Sequence, residues 1–176
     1  MLLTGYEKEI FKPECNPHFE SVHCFAHLEN DISEVIPYLN TVFGGTSYQK
    51  DPPSVMFQIN GRLVAIHPKK IAINALKDDA EADKILQWLM REINETWEKR
   101  NEIEPSENVA EKPRLIEVLR LLPKTNCQEC GQPTCMVFST LVTQGIKDAN
   151  DCPQLGTINR ELLATYLKRF NFIDLQ

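Results

Sequence analysis

Four cysteines within 26 residues constrain this chain more than any other feature. They run from Cys127 through Cys130 and Cys135 to Cys152, with the spacing C-x2-C-x4-C-x16-C. Two cysteines separated by two residues can turn their sulfurs toward one centre from a tight loop. Gly131 and Pro133 shape that loop: Gly lacks a Cβ where backbone must come close, and Pro fixes φ. Thr134 is placed to cap a helix that starts at Cys135 and continues through MVFSTLVTQ to Gly145. Cys135 would then sit in the first turn, where the positive helix end favours a thiolate. Cys152, followed by Pro153, returns from a distance as a fourth ligand supplied by the fold.

Four thiolates suit either an iron–sulfur cluster or a zinc ion. Structural zinc sites usually draw on two close pairs. Here 16 residues separate the last two cysteines, which favours the cluster. The spacing matches neither the two-cluster ferredoxin run nor the plant-type run, so it leaves the number of irons open. The bland alternative is four buried, inert thiols. Three of the four, however, sit beside Asn, Gln, Gly and Pro rather than in apolar runs.

The rest of the chain narrows the setting. Hydrophobic residues make up 42% and charged residues 25% of its 176 positions, so most of it can bury a core. A net charge of −6 argues against nucleic acid as a partner, since phosphate binding usually needs a basic stripe. No apolar run approaches the roughly 18 residues of a membrane span. The opening MLLTGYEKEIF has neither a basic n-region nor an apolar h-region. The expectation is a cytoplasmic protein, where six cysteines are not a disulfide framework.

Hydrophobic periodicity predicts an α+β fold. Residues 1–20 read as an N-terminal arm. SVHCFAHL (21–28) alternates Val22, Cys24, Ala26 and Leu28 on one face, as a half-buried strand does. Asn30 or Asp31 can cap a helix over ISEVIPYLNTVF that ends at Gly44-Gly45, with Pro37 kinking it or shifting its start. Short strands follow in TSYQK, SVMFQI, RLVAIH and IAINAL, and Asn60-Gly61 signals a tight hairpin between the second and third. Asp78 or Asp79 opens a long amphipathic helix that carries Ile85, Trp88, Leu89 and Ile93 on one stripe. An antiparallel sheet with two helices results, in an element order similar to one half-repeat of the TATA-binding-protein fold. The α+β domain spans 21–97 and a charged, proline-bearing linker 98–113. A small, mostly helical four-cysteine domain spans 114–176, with a last helix near INRELLATYLKRF.

The block LPKTNCQECGQPTC, with its later CP, resembles the four-cysteine [4Fe–4S] domain of the corrinoid iron–sulfur protein large subunit. It is also similar to the cluster domain of the Rnf complex B subunit. The resemblance covers about residues 120–156. It implies a [4Fe–4S] cluster held by Cys127, Cys130, Cys135 and Cys152. It further implies low-potential electron transfer to a protein redox partner, such as a corrinoid protein or methyltransferase in anaerobic metabolism. The alternative is a non-redox binding or sensing protein in which the cluster, or a zinc ion, is structural. No nucleophile motif, Gly-rich phosphate loop or H-E-x-x-H marks an enzyme.

A second metal site is conceivable at Cys15, His18, Cys24 and His27, spaced C-x2-H-x5-C-x2-H, with His23 nearby. If 21–28 is a strand, Cys24 faces the core and His23 and His27 face the other way. The competing expectation is therefore a buried Cys24 with surface histidines.

Overall fold

The computed structural model describes residues 1–12, 21–170, 172 and 173. They form two compact units, one of Met1–Ala110 and one that begins at Glu111.

The first unit is a six-stranded antiparallel sheet. Its strands are β1 (Tyr6–Phe11), β2 (Val22–Leu28), β3 (Ser47–Lys50), β4 (Pro53–Ile59), β5 (Arg62–His67) and β6 (Lys70–Leu76), in the spatial order β1-β2-β6-β5-β4-β3. Alternate residues face one side. Cys24, Ala26, Val55, Phe57, Val64, Ile66, Ile71 and Ile73 are therefore all buried there. The helices α1 (Ile36–Phe43) and α2 (Asp79–Glu98) contribute Ile36, Leu39, Phe43, Ile85, Leu89 and Ile93 to the same core. Phe43 stacks on Phe57 at 4.5 Å and meets Trp88 of α2 at 5.4 Å.

Local chemistry explains the joints. Asn60 and Gly61 have φ of 45° and 77°, which a type I′ hairpin requires. Pro37 moves the start of α1 to Ile36, because a residue without an N–H is tolerated only in the first helical turn. A 3₁₀ turn at Ser33–Val35 precedes it, with Asp31 accepting from the Ser33 amide at 2.9 Å. Gly44, with φ of 61°, closes α1. Asp78 caps α2 by accepting from the Glu81 amide at 2.9 Å.

Two stretches differ from expectation. The arm at 1–20 contains an edge strand, β1, paired with β2 from Tyr6↔Leu28 to Phe11↔His23. Its inward positions are Tyr6, Lys8 and Ile10, so a charge interrupts the alternation that would mark a strand. Lys8 reaches the carboxylates of Asp79 and Asp83 on α2. In the expected linker 98–113, residues 104–110 lie along α1. Ser106 N donates to Pro37 O at 3.1 Å, and Asn40 Nδ2 donates to the carbonyls of Ser106 and Asn108 at 2.7 and 2.9 Å. Backbone atoms make most of these bonds, so composition does not reveal them.

The second unit packs α3 (Leu115–Leu121), α4 (Cys135–Thr143) and α5 (Thr157–Leu167) around eight buried residues. These are Val118, Leu122, Phe138, Val142, Ala149, Cys152, Leu155 and Leu163. The chain as a whole is α+β.

Candidate metal centre

The cysteine loop is folded by repeated left-handed residues. Lys124, Asn126, Gln128 and Gly131 have φ of 61°, 51°, 65° and 76°. Gly131 adopts this without penalty, and space around it is open, so its requirement is conformational rather than steric. The other three hold a conformation that costs an L-residue energy, which commonly marks functional loops. Asn126 also accepts from the Cys135 amide through Oδ1 at 2.8 Å, tying the loop to the start of α4. Thr134 caps α4 by accepting from the Val137 amide at 3.2 Å.

Cys152 comes from the opposite side. A 3₁₀ turn at Ala149–Asp151, closed by a capping box between Asp148 and Asp151, delivers it into the core between Ala149 and Leu155. It is 5% exposed, whereas Cys127 is exposed and Cys130 and Cys135 are half-buried. All four cysteines line one small cavity of about 10 Å³. Leu122 and Phe138 form its apolar wall, and its polar lining is neutral: Thr125, Asn126 and Gln154 are examples. Burial pushes the Cys152 thiol above its ordinary pKa. The Gln154 backbone opposes this, and the negative charge of Cys130, Cys135 and Cys127 adds to it. The buried Cys152 thiol therefore resists ionisation until a cationic centre compensates it. The donor set is sulfur alone, which suits soft metals and iron–sulfur clusters. Among the described residues, no three His, Cys, Asp or Glu side chains converge as a site for one metal ion.

Two further residues bear on this site. Asn126 was legible at most as a loop residue beside Cys127. Arg160 on α5 carried no signal, yet its Nη2 donates to the carbonyls of Cys152 and Leu155 at 3.2 and 3.0 Å.

The structure describes only part of the second candidate cluster. Cys15 and His18 lie outside the described residues. Cys24 is fully buried, and burial pushes its thiol up to about 11. His23 and His27 face the opposite side of the sheet. His23 stacks on Phe11 at 5.6 Å, and His27 Nε2 lies 3.3 Å from a Glu9 carboxylate oxygen.

Comparison with known proteins falls on this same segment. The Fe–S cluster family matches residues 122–154. Similar segments occur in the acetyl-CoA decarbonylase/synthase complex subunit gamma of Methanothermobacter thermautotrophicus, 41% identical over 32% of this chain and 13% of the relative. The corrinoid/iron-sulfur protein large subunit of Moorella thermoacetica is 40% identical over 27% of this chain and 11% of its own length. The B component of the ion-translocating oxidoreductase complex of an Azoarcus species is 35% identical over 32% of this chain and 31% of the relative. The chain thus spans about an eighth of the first of these relatives and under a third of the last. No solved structure matches. No helix among the described residues is long and apolar enough to cross a membrane.

Proposed function

We propose that Cys127, Cys130, Cys135 and Cys152 bind one [4Fe–4S] cluster, and that the chain is an electron-transfer module rather than an enzyme. One observation carries this reading: among the described residues, four thiols and no other metal-ligating side chain border one neutral cavity, graded from the exposed Cys127 to the buried Cys152. When bound, such a cluster takes up and releases one electron at low potential. The chain's own groups do the rest. Cys152 fixes one side in the core, and Leu122 and Phe138 exclude water from that side. Cys127 presents the other side at the surface, where a protein partner can approach. The positive end of α4 lies beside Cys135 and favours the anionic group.

The relatives' names support a protein partner. They are subunits of the acetyl-CoA decarbonylase/synthase complex, of a corrinoid/iron-sulfur protein and of an ion-translocating oxidoreductase complex. A cytoplasmic corrinoid protein or methyltransferase system is the partner we favour. The α+β unit would be its docking surface and the unit around 114–176 its electron carrier.

Anaerobic reconstitution tests this. The expected result is four irons and four sulfides per chain, and an EPR signal on dithionite reduction. Cys152→Ser is expected to lower the iron content and change the signal. Full iron content with an unchanged spectrum in that variant would overturn the assignment of Cys152.

A second reading has its own observation. Among the described residues, Cys152 is one of eight in the buried hydrophobic cluster of the second unit, and Cys130 and Cys135 pack against it. Small cores of this kind often need a staple. The cluster, or a zinc ion, would then be structural, and partner binding would not depend on redox state. A colourless metal-loaded protein would indicate zinc.

A further inference from the structure

Among the described residues, Arg160 is the charged side chain that reaches the backbone of the buried ligand. It lies in the first turn of α5 (Thr157–Leu167), eight residues beyond Cys152 in sequence. Its Nη2 donates to the Cys152 carbonyl at 3.2 Å and to the Leu155 carbonyl at 3.0 Å. The Leu155 amide donates back to the Cys152 carbonyl at 3.2 Å, which closes the turn between them. One guanidinium group therefore fixes both ends of the short segment that carries the fourth cysteine. A neighbouring base is otherwise engaged: Lys147 pairs with Asp151 at 3.2 Å. Arg160, by contrast, has no carboxylate partner among the described residues, and its buried Nε makes no hydrogen bond there. A half-buried, unpaired positive charge thus stands behind Cys152, where weak screening lets it act on the sulfur side.

We infer that Arg160 is a positioning residue that holds Cys152 in place and raises the reduction potential of the group bound there. This rests on the cluster reading proposed above. Reduction adds one negative charge to the cluster. A fixed positive charge nearby favours that reduced form, so removing it moves the potential downward. Hydrogen bonding alone would not do this, because both of the guanidinium's acceptors are carbonyl oxygens.

The test is redox titration of the reconstituted full-length chain, with iron and sulfide content measured in parallel. Arg160→Gln keeps a donor and loses the charge. It is expected to favour the oxidised form about tenfold, a drop of about 59 mV for one electron. Arg160→Lys keeps the charge and is expected to stay near the wild-type potential. Glu161→Gln changes the charge by one unit on an exposed neighbour and is expected to shift the potential far less than Arg160→Gln. The inference is overturned if Arg160→Gln and wild type share one potential, or if Glu161→Gln shifts it as far as Arg160→Gln does. Should Arg160→Gln fail to hold a cluster, Arg160→Lys decides: a tenfold drop there overturns the inference, and retention of the wild-type potential supports it. If the wild-type chain binds no iron at all, the cluster reading itself fails and this inference falls with it. If wild type loads normally and only the potentials coincide, the cluster reading stands and the role of Arg160 does not.

Discussion

Asn126 serves the site through two separate properties. It occupies a left-handed conformation, which Asn tolerates better than most residues, and its Oδ1 accepts from the Cys135 amide. Asn126→Ala removes the acceptor and places an alanine at φ of 51°. The expected cost is about 2 kcal/mol in urea unfolding of the second unit. Asn126→Gly keeps the backbone freedom and loses only the acceptor, so about half of that cost is expected to return. At Cys24 the relevant variable is pH. Burial raises its thiol from 9.0 to about 11, so the fold favours the neutral form. That stability is complete below the ordinary thiol pKa and is lost as pH rises through the raised one, a span worth on the order of 2 kcal/mol. Cys24→Ala is expected to be less stable at neutral pH but to lose less stability between about pH 8 and 11 than wild type, as read by urea melts. The four cysteines of the candidate site were legible because spacing and flanking Gly and Pro are local signals. Arg160 was not, since its role exists only once the segment at 152–155 has folded back onto α5.

Elements whose side chains alternate cleanly were the easiest to read. Strands β2, β4, β5 and β6, the Asn60-Gly61 hairpin and the capped α2 all follow from period and turn chemistry. Strand β1 did not, because Lys8 stands at an inward position and is satisfied by Asp79 and Asp83, which lie far along the chain on α2. The segment at 104–110 was hidden for a related reason: its anchor, Asn40, is distant in sequence and holds carbonyl groups, not side chains. Asn40 is 2% exposed and donates to two of those carbonyls. Asn40→Ala is expected to destabilise the first unit by about 1–2 kcal/mol. It should also speed proteolytic cleavage within 101–110, as mapped by mass spectrometry. Unchanged cleavage there would mean that the backbone bonds and the Thr41 hydroxyl, which donates to the Glu104 carbonyl at 2.7 Å, suffice.

At the scale of the whole molecule, the two units have unequal means of support. The first buries residues from its sheet and two helices. The second, among the described residues, relies on a hydrophobic cluster of eight, one of them a proposed ligand. Stripping the metal from the reconstituted protein with an oxidant and a chelator is therefore expected to abolish or greatly lower the thermal transition of the second unit. The transition of the first unit is expected to stay where it was. A single transition that shifts as one would instead show that the units unfold together. The graded burial of the four cysteines has a practical corollary for this experiment. Alkylating reagents need an accessible, ionised sulfur, so among the described cysteines of the metal-free chain Cys127 should be labelled first, Cys130 and Cys135 next, Cys152 slowly and Cys24 last. The set works as a built-in clock, and a peptide-resolved labelling time course can report which corner of the site has opened before any spectroscopic change is complete.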